Sequence, residues 1–120
     1  MANPNTAYPT SVTVHSKTQA ATTTLADILA NAAASGKAIR VSAIYAANID
    51  GANDADVTVS WVDASDGVGH LAKSITVAAQ STLIVTSRET AFYLNEDCQL
   101  RIQASANNDI SVTVCYEEIS

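Results

Sequence analysis

The side chains that could bind a metal or act as a nucleophile with its base are few. They are His15 and His70, Cys98 and Cys115, and the acidic run Asp50-Gly-Ala-Asn-Asp-Ala-Asp56. A zinc site draws on Cys and His at short, fixed spacings. Neither histidine stands at such a spacing from a cysteine or from the other histidine. No Gly-x-Ser-x-Gly elbow presents a serine. The four glycines, Gly36, Gly51, Gly67 and Gly69, stand at stops or turns, not in a phosphate-cradling loop. The chain therefore reads as a non-enzyme without a cofactor. A pocket joining His15 or His70 to a carboxylate and a serine would point the other way.

Asp50, Asp54 and Asp56, with the Asn53 amide, make up a weak calcium candidate, because hard cations take carboxylate and carbonyl oxygens. Their spacing is not that of an EF-hand loop. Asp, Asn and Gly are also the residues a turn selects, so a solvated turn is the preferred reading. Glu96-Asp97 and Glu117-Glu118 are adjacent acids. Neighbours on a strand face opposite sides, so they read as solvated faces and not as acid–base pairs. Trp61, Tyr45, Phe92, Tyr93 and Tyr116 could form a sugar-stacking platform. Trp61 also keeps phase with Val57 and Val59, which suits a core position.

The elements that must position these residues are mostly strands. Val41, Ala43 and Tyr45 alternate with Arg40, Ser42 and Ile44, and Val57, Val59 and Trp61 alternate with Thr58 and Ser60. Turn clusters with Asp-Gly pairs follow at 48–54 and 63–69. Further strands are read at 11–17, 71–77, 82–86, 91–94, 99–104 and 110–116, the last two as a hairpin. One helix is expected at 25–35. Leu25, Ile28, Leu29 and Ala32 keep helical spacing, Thr24 is an N-cap, and Gly36 is a stop. The fold class is all-β: an antiparallel β-sandwich, jelly-roll or Ig-like, with seven to eight strands. Residues 1–10 form an extended N-terminal arm whose Pro4, Tyr8 and Pro9 are interaction candidates. Residues 11–120 form one domain.

Composition narrows the partners. Of 120 residues, 48% are hydrophobic and only 15% charged, with six bases against twelve acids for a net charge of −6. The bases are scattered, so no basic stripe is available for nucleic acid or an anionic membrane. No apolar run approaches the roughly 20 residues of a membrane span. The start of the chain lacks the features of a signal peptide, so synthesis and retention in a reducing cytoplasm are expected. Cys98 and Cys115 are placed on neighbouring strands with their sulfurs on opposite faces, hence free thiols. Several strands are apolar on both faces, at Ile44-Tyr45, Trp61-Val62 and Leu83 to Val85, which calls for extra cover from the helix or a second subunit.

The order of segments carries a resemblance. Thr22-Thr-Thr-Leu is followed by Lys37-Ala-Ile-Arg-Val-Ser-Ala-Ile-Tyr-Ala-Ala-Asn and Asp56-Val-Thr-Val-Ser-Trp-Val. Then come His70-Leu-Ala-Lys-Ser-Ile-Thr-Val-Ala-Ala-Gln-Ser-Thr-Leu-Ile-Val, Ala91-Phe-Tyr-Leu-Asn-Glu-Asp-Cys-Gln-Leu-Arg-Ile-Gln-Ala-Ser, and Ile110-Ser-Val-Thr-Val-Cys-Tyr-Glu-Glu-Ile-Ser. Over residues 11–120 this resembles the small virion structural proteins of tailed bacteriophages, notably those of marine cyanobacterial phages. It departs from them where the expected helix replaces a short Pro-Ala-Gly turn. The resemblance implies a capsid decoration or cement protein, a homo-oligomer with a trimer favoured. It also implies a major capsid protein or other virion proteins as partners, and a place in the virion after synthesis in the host bacterial cytoplasm. The alternatives are a tail- or fibre-associated virion protein, or a carbohydrate- or protein-binding module.

Overall fold

The computed structural model describes residues 11–120. The N-terminal arm, with Pro4, Tyr8 and Pro9, lies outside the described residues. Nine strands make up the fold: β1 Val12–Ala21, β2 Ala26–Asn31, β3 Ala38–Asn48, β4 Ala55–Val62, β5 Val68–Val77, β6 Thr82–Thr86, β7 Phe92–Leu94, β8 Cys98–Ala104 and β9 Ile110–Ile119. A single 3-10 turn, Arg88–Thr90, separates β6 from β7.

The strands form two antiparallel sheets, one ordered β1-β9-β3-β6 and the other β2-β8-β4-β5. Strand β7 continues the β6 edge, pairing Phe92 with Val41 and Leu94 with Ile39 of β3. If β6 and β7 count as one position, the pairs β1·β9, β2·β8, β3·β6/β7 and β4·β5 are successive rungs of one long antiparallel ribbon. The ribbon folds over so that β9 also pairs β3 and β8 also pairs β4. This wrapping is the jelly-roll form of the β-sandwich, one of the two forms expected from the sequence.

Alternation along the strands builds the core. Val57 and Val59 of β4 and Leu100 and Ile102 of β8 face Val41 and Ile44 of β3 and Ile110, Val112 and Val114 of β9, all buried. Burial of each such side chain stabilises by about 1.5–3 kcal/mol. Two buried amides close the ends. Asn31 Nδ2 donates to the carbonyls of Lys37 and Leu94 at 2.9 and 3.0 Å, and Asn48 Nδ2 to those of Asn53 and Val77, both at 2.9 Å. Each ties a strand end to a strand of another pair.

Two expectations are corrected. Residues 25–35 are not a helix: Ala26–Asn31 is the edge strand β2, and the turn after it carries positive φ at Ala34 and Gly36. The reason is a β-bulge between Asp27 and Leu29, which turns Ile28 and Leu29 both inward. Two consecutive buried residues in a bulge imitate the i, i+1 part of a helical stripe. Strands β8 and β9 do not form a paired hairpin either. They lie in opposite sheets, so Cys98 and Cys115 are not on neighbouring strands. Both thiols are free, as expected, but it is their separation across the two sheets that keeps them so.

Candidate assembly surface

The outer strands carry aliphatic side chains that nothing among the described residues covers. On β1, Val12 is exposed and Val14 is 74% exposed. On the opposite edges, Val68, Leu71 and Ile75 of β5, Ile84 of β6 and Tyr93 of β7 are exposed as well. Edge strands offer unpaired N–H and C=O groups to another chain, and proteins usually blunt them with charge. Along β1 the only charged side chain is Lys17, and along β5 it is Lys73. The Lys17 ammonium does not protect the edge. It is turned onto the Ile28 carbonyl of the facing sheet at 2.8 Å.

The outer face of the β1-β9-β3-β6 sheet continues this surface. Val14, Glu117, Arg40 and Tyr93 stand in one cross-strand row, and residues paired directly across strands share a face. Arg40 Nη1 and Glu117 Oε1 pair at 3.6 Å in the middle of the row. Beside them a shallow depression of about 590 Å³ is lined by Ala43, Tyr45, Ile84 and Cys115 among others. Cys115 is half-buried there, with the Ser16 hydroxyl 3.7 Å from its sulfur. Cys98 is buried, and burial pushes its thiol pKa up.

A second concavity, of about 290 Å³, opens between the sheets at the β5 and β7 edges. It is lined by Trp61, Gly69, His70, Leu71, Phe92 and Tyr93. Three of the five aromatics singled out in the sequence therefore converge here. Tyr45 lies in the outer depression, and Tyr116 stacks on His15 with centroids 5.2 Å apart. Trp61 is half-buried, and its indole N–H is buried without an acceptor among the described residues. Gly69 leaves the ring accessible: a Cβ at that position would lie 3.8 Å from Trp61 Cε3.

The histidines sit on edge strands with different partners. His15 Nε2 approaches Glu118 Oε1 at 2.8 Å, close but not aligned as a hydrogen bond, and Lys37 Nζ lies 3.4 Å from Glu118 Oε2. Glu117 and Glu118 face opposite sides, as alternation requires. The Tyr116 phenol is pushed up by burial and, secondly, by the Glu118 charge. His70 Nδ1 lies 3.1 Å from the hydroxyl of Ser60, its cross-strand neighbour in the β2-β8-β4-β5 sheet. The carboxylate–histidine pair and the serine–histidine pair are thus separate.

The acids of the 50–56 loop do not converge. Asp50 Oδ1 accepts the backbone N–H groups of Ala52 and Asn53, Asp54 Oδ1 that of Ala79, and Asp56 Oδ1 the Thr76 hydroxyl. Each carboxylate is turned to its own partner, and no group of three or more metal-ligating side chains forms among the described residues. The Ala52 and Asn53 amides hold the Asp50 carboxyl below its usual range. Asp109 is its neighbour, raised by desolvation first and then by the Asp50 charge. Sequence reasoning missed this pair, which lies 59 positions apart along the chain (109 − 50). It also missed the uncovered edges. Only the two-sided apolar strands hinted at them.

No family model matches the chain, and no curated protein matches it. Among solved structures, the fold is similar to a protein of the Bacillus endospore appendages, described as a novel family of disulfide-linked pili. The TM-score is 0.52 at 15% sequence identity, over 91% of this chain and 85% of that one. At this identity the likeness establishes a shared fold.

Proposed function

We propose that this chain is a structural subunit that works by assembling with copies of itself, as a component of the surface of a tailed-phage particle, with capsid decoration as its role there. The observation that carries the reading is the uncovered aliphatic side chains on edge strands at both sides of the sandwich. A surface poor in charge and apolar at its edges is suited to burial against neighbours. The jelly-roll likeness to a pilus protein supports the assembly part of this reading. The particle itself rests on the strand-and-turn resemblance over residues 11–120. Closed symmetry, with a trimer favoured, would hide both edges at once.

The assembly part does not need covalent links. Of the two thiols, Cys98 is buried, which leaves Cys115 as the one near the surface. Light scattering across a concentration series, with mass spectrometry and imaging of purified particles, tests the proposal. A defined oligomer and the chain's presence on particles are expected. A monomer at high concentration would overturn the assembly reading, and absence from particles would overturn the virion reading.

A further inference from the structure

We infer that the pocket of Trp61, Phe92 and Tyr93 receives the Tyr8-Pro9 segment of a second copy of the chain, an inference that rests on the assembly reading. The pocket is apolar and rich in aromatic residues, with His70 its only titratable side chain besides the Tyr93 phenol. Aromatic grooves of this kind take proline-bearing extended segments, because a prolyl ring stacks on them and has little conformational entropy to lose. Residues 1–10 supply that chemistry. They carry Pro4, Tyr8 and Pro9 and no Asp, Glu, Lys or Arg, so docking strips water from no charged side chain.

Reach decides which copy supplies the segment. Ser11 is fixed at the β1 edge by reciprocal backbone hydrogen bonds with Ser120, both at 3.0 Å. The pocket lies at the opposite edge of the same sheet, beyond β9 and β3 at β7. Three strand spacings of about 4.8 Å separate β1 from β7, roughly 14 Å. Pro9 is two residues from Ser11 and Tyr8 three, so at about 3.6 Å per residue they reach only about 7 and 11 Å. The Tyr8 ring alone could span that gap, but Pro9 stays well short of it, so Tyr8-Pro9 cannot seat together in the pocket of its own subunit. A neighbour with its β1 edge turned toward this β5–β7 edge would present them directly.

Trp61 is the only tryptophan in the chain, so its fluorescence reports pocket occupancy. The receptor is the full-length variant Pro4→Ala/Tyr8→Ala/Pro9→Ala, and the probe is a synthetic peptide of residues 1–10. The peptide should shift Trp61 emission saturably, and its Tyr8→Ala/Pro9→Ala version should bind about tenfold or more weakly. In the wild-type chain the same shift should grow with concentration, together with the mass seen by light scattering. Lack of any peptide effect would overturn the inference. So would a wild-type signal independent of concentration, which means the arm folds onto its own subunit. Simple sugars that give the shift when the peptide does not would make the pocket a carbohydrate site instead. Assemblies of unchanged size in the triple variant would defeat this inference alone. A wild-type chain that is monomeric at every concentration would defeat the assembly reading with it.

Discussion

Lys17 and Ile28 join the two sheets across their open edge: the Lys17 ammonium donates to the Ile28 carbonyl at 2.8 Å. Ile28 is the bulged residue of β2 and has no partner in the ladder with β8. Two residues along β1, Gln19 Nε2 donates to the neighbouring Asp27 carbonyl at 3.3 Å. Two polar side chains of β1 thus reach carbonyls along the bulged stretch of β2. Lys17→Met keeps the aliphatic stem and removes the donor. It should lower stability by about 1–2 kcal/mol in urea unfolding, with an unchanged far-ultraviolet spectrum.

Asn48 makes a sharper test of the same logic. Its buried amide donates to two carbonyls, those of Asn53 and Val77. Asn48→Ala should cost about 1–3 kcal/mol, the desolvation penalty of buried acceptors left unmet. Asn48→Asp should cost more, because a carboxylate would face two carbonyl oxygens in a buried site. Equal losses in the two variants would show that the amide acts only by filling space.

The two members of the Asp50–Asp109 pair give stability opposite pH dependences. Asp109 is raised above its ordinary range, so its contribution is fully present at low pH and is lost as pH rises through the raised value. Asp50 is lowered, so its contribution is present above the ordinary carboxylate range and is lost as pH falls through the lowered value. Asp109→Asn should therefore raise Tm at neutral pH. The gain should shrink toward zero as the solution is acidified through the carboxylate range. Calorimetry over a pH series reads it, and a gain that stays constant to low pH would contradict the pairing.

Assembly should respond to the edges and not to the thiols. Val14→Lys places a charge on the exposed side of β1, where Val14 is largely exposed. The monomer fold should be kept, with stability within about 0.5 kcal/mol of wild type, and the oligomer should be lost in light scattering.

Cys115→Ser should leave the oligomer intact. Thiol titration of the native chain should modify Cys115 first, and Cys98 only on unfolding, since its thiol is buried with a raised pKa. A dimer band that disappears on reduction, together with loss of assembly in Cys115→Ser, would replace the noncovalent picture with a disulfide-linked one.

The sheets were legible where alternation was clean. Val57 and Val59, and Leu100 and Ile102, read as inward faces and are inward. Residues 25–35 misled because a bulge is a tertiary accommodation: Ile28 and Leu29 share a face through pairing with β8, which lies about seventy residues away along the chain. The 99–116 segment read as a hairpin because turn chemistry at Asn107 and Asn108 marks a reversal without saying whether the chain stays in one sheet or crosses to the other. Of the site, the aromatic residues were visible as types. Their sorting into one pocket and two separate places depends on which strands become edges, and strand order is not written in any local pattern.

Strand β1 has one sheet partner, β9, and Ser11 meets Ser120 across 109 positions of chain. The chain from β1 to β9 must therefore be present before β1 can settle. Folding of this topology is governed by long loop closures, with refolding expected on the millisecond-to-second scale rather than in microseconds. Until those closures are made, the inward faces of β3 and β9 stay open to other chains, so the pace of long-range pairing, and not local propensity, guards against clumping.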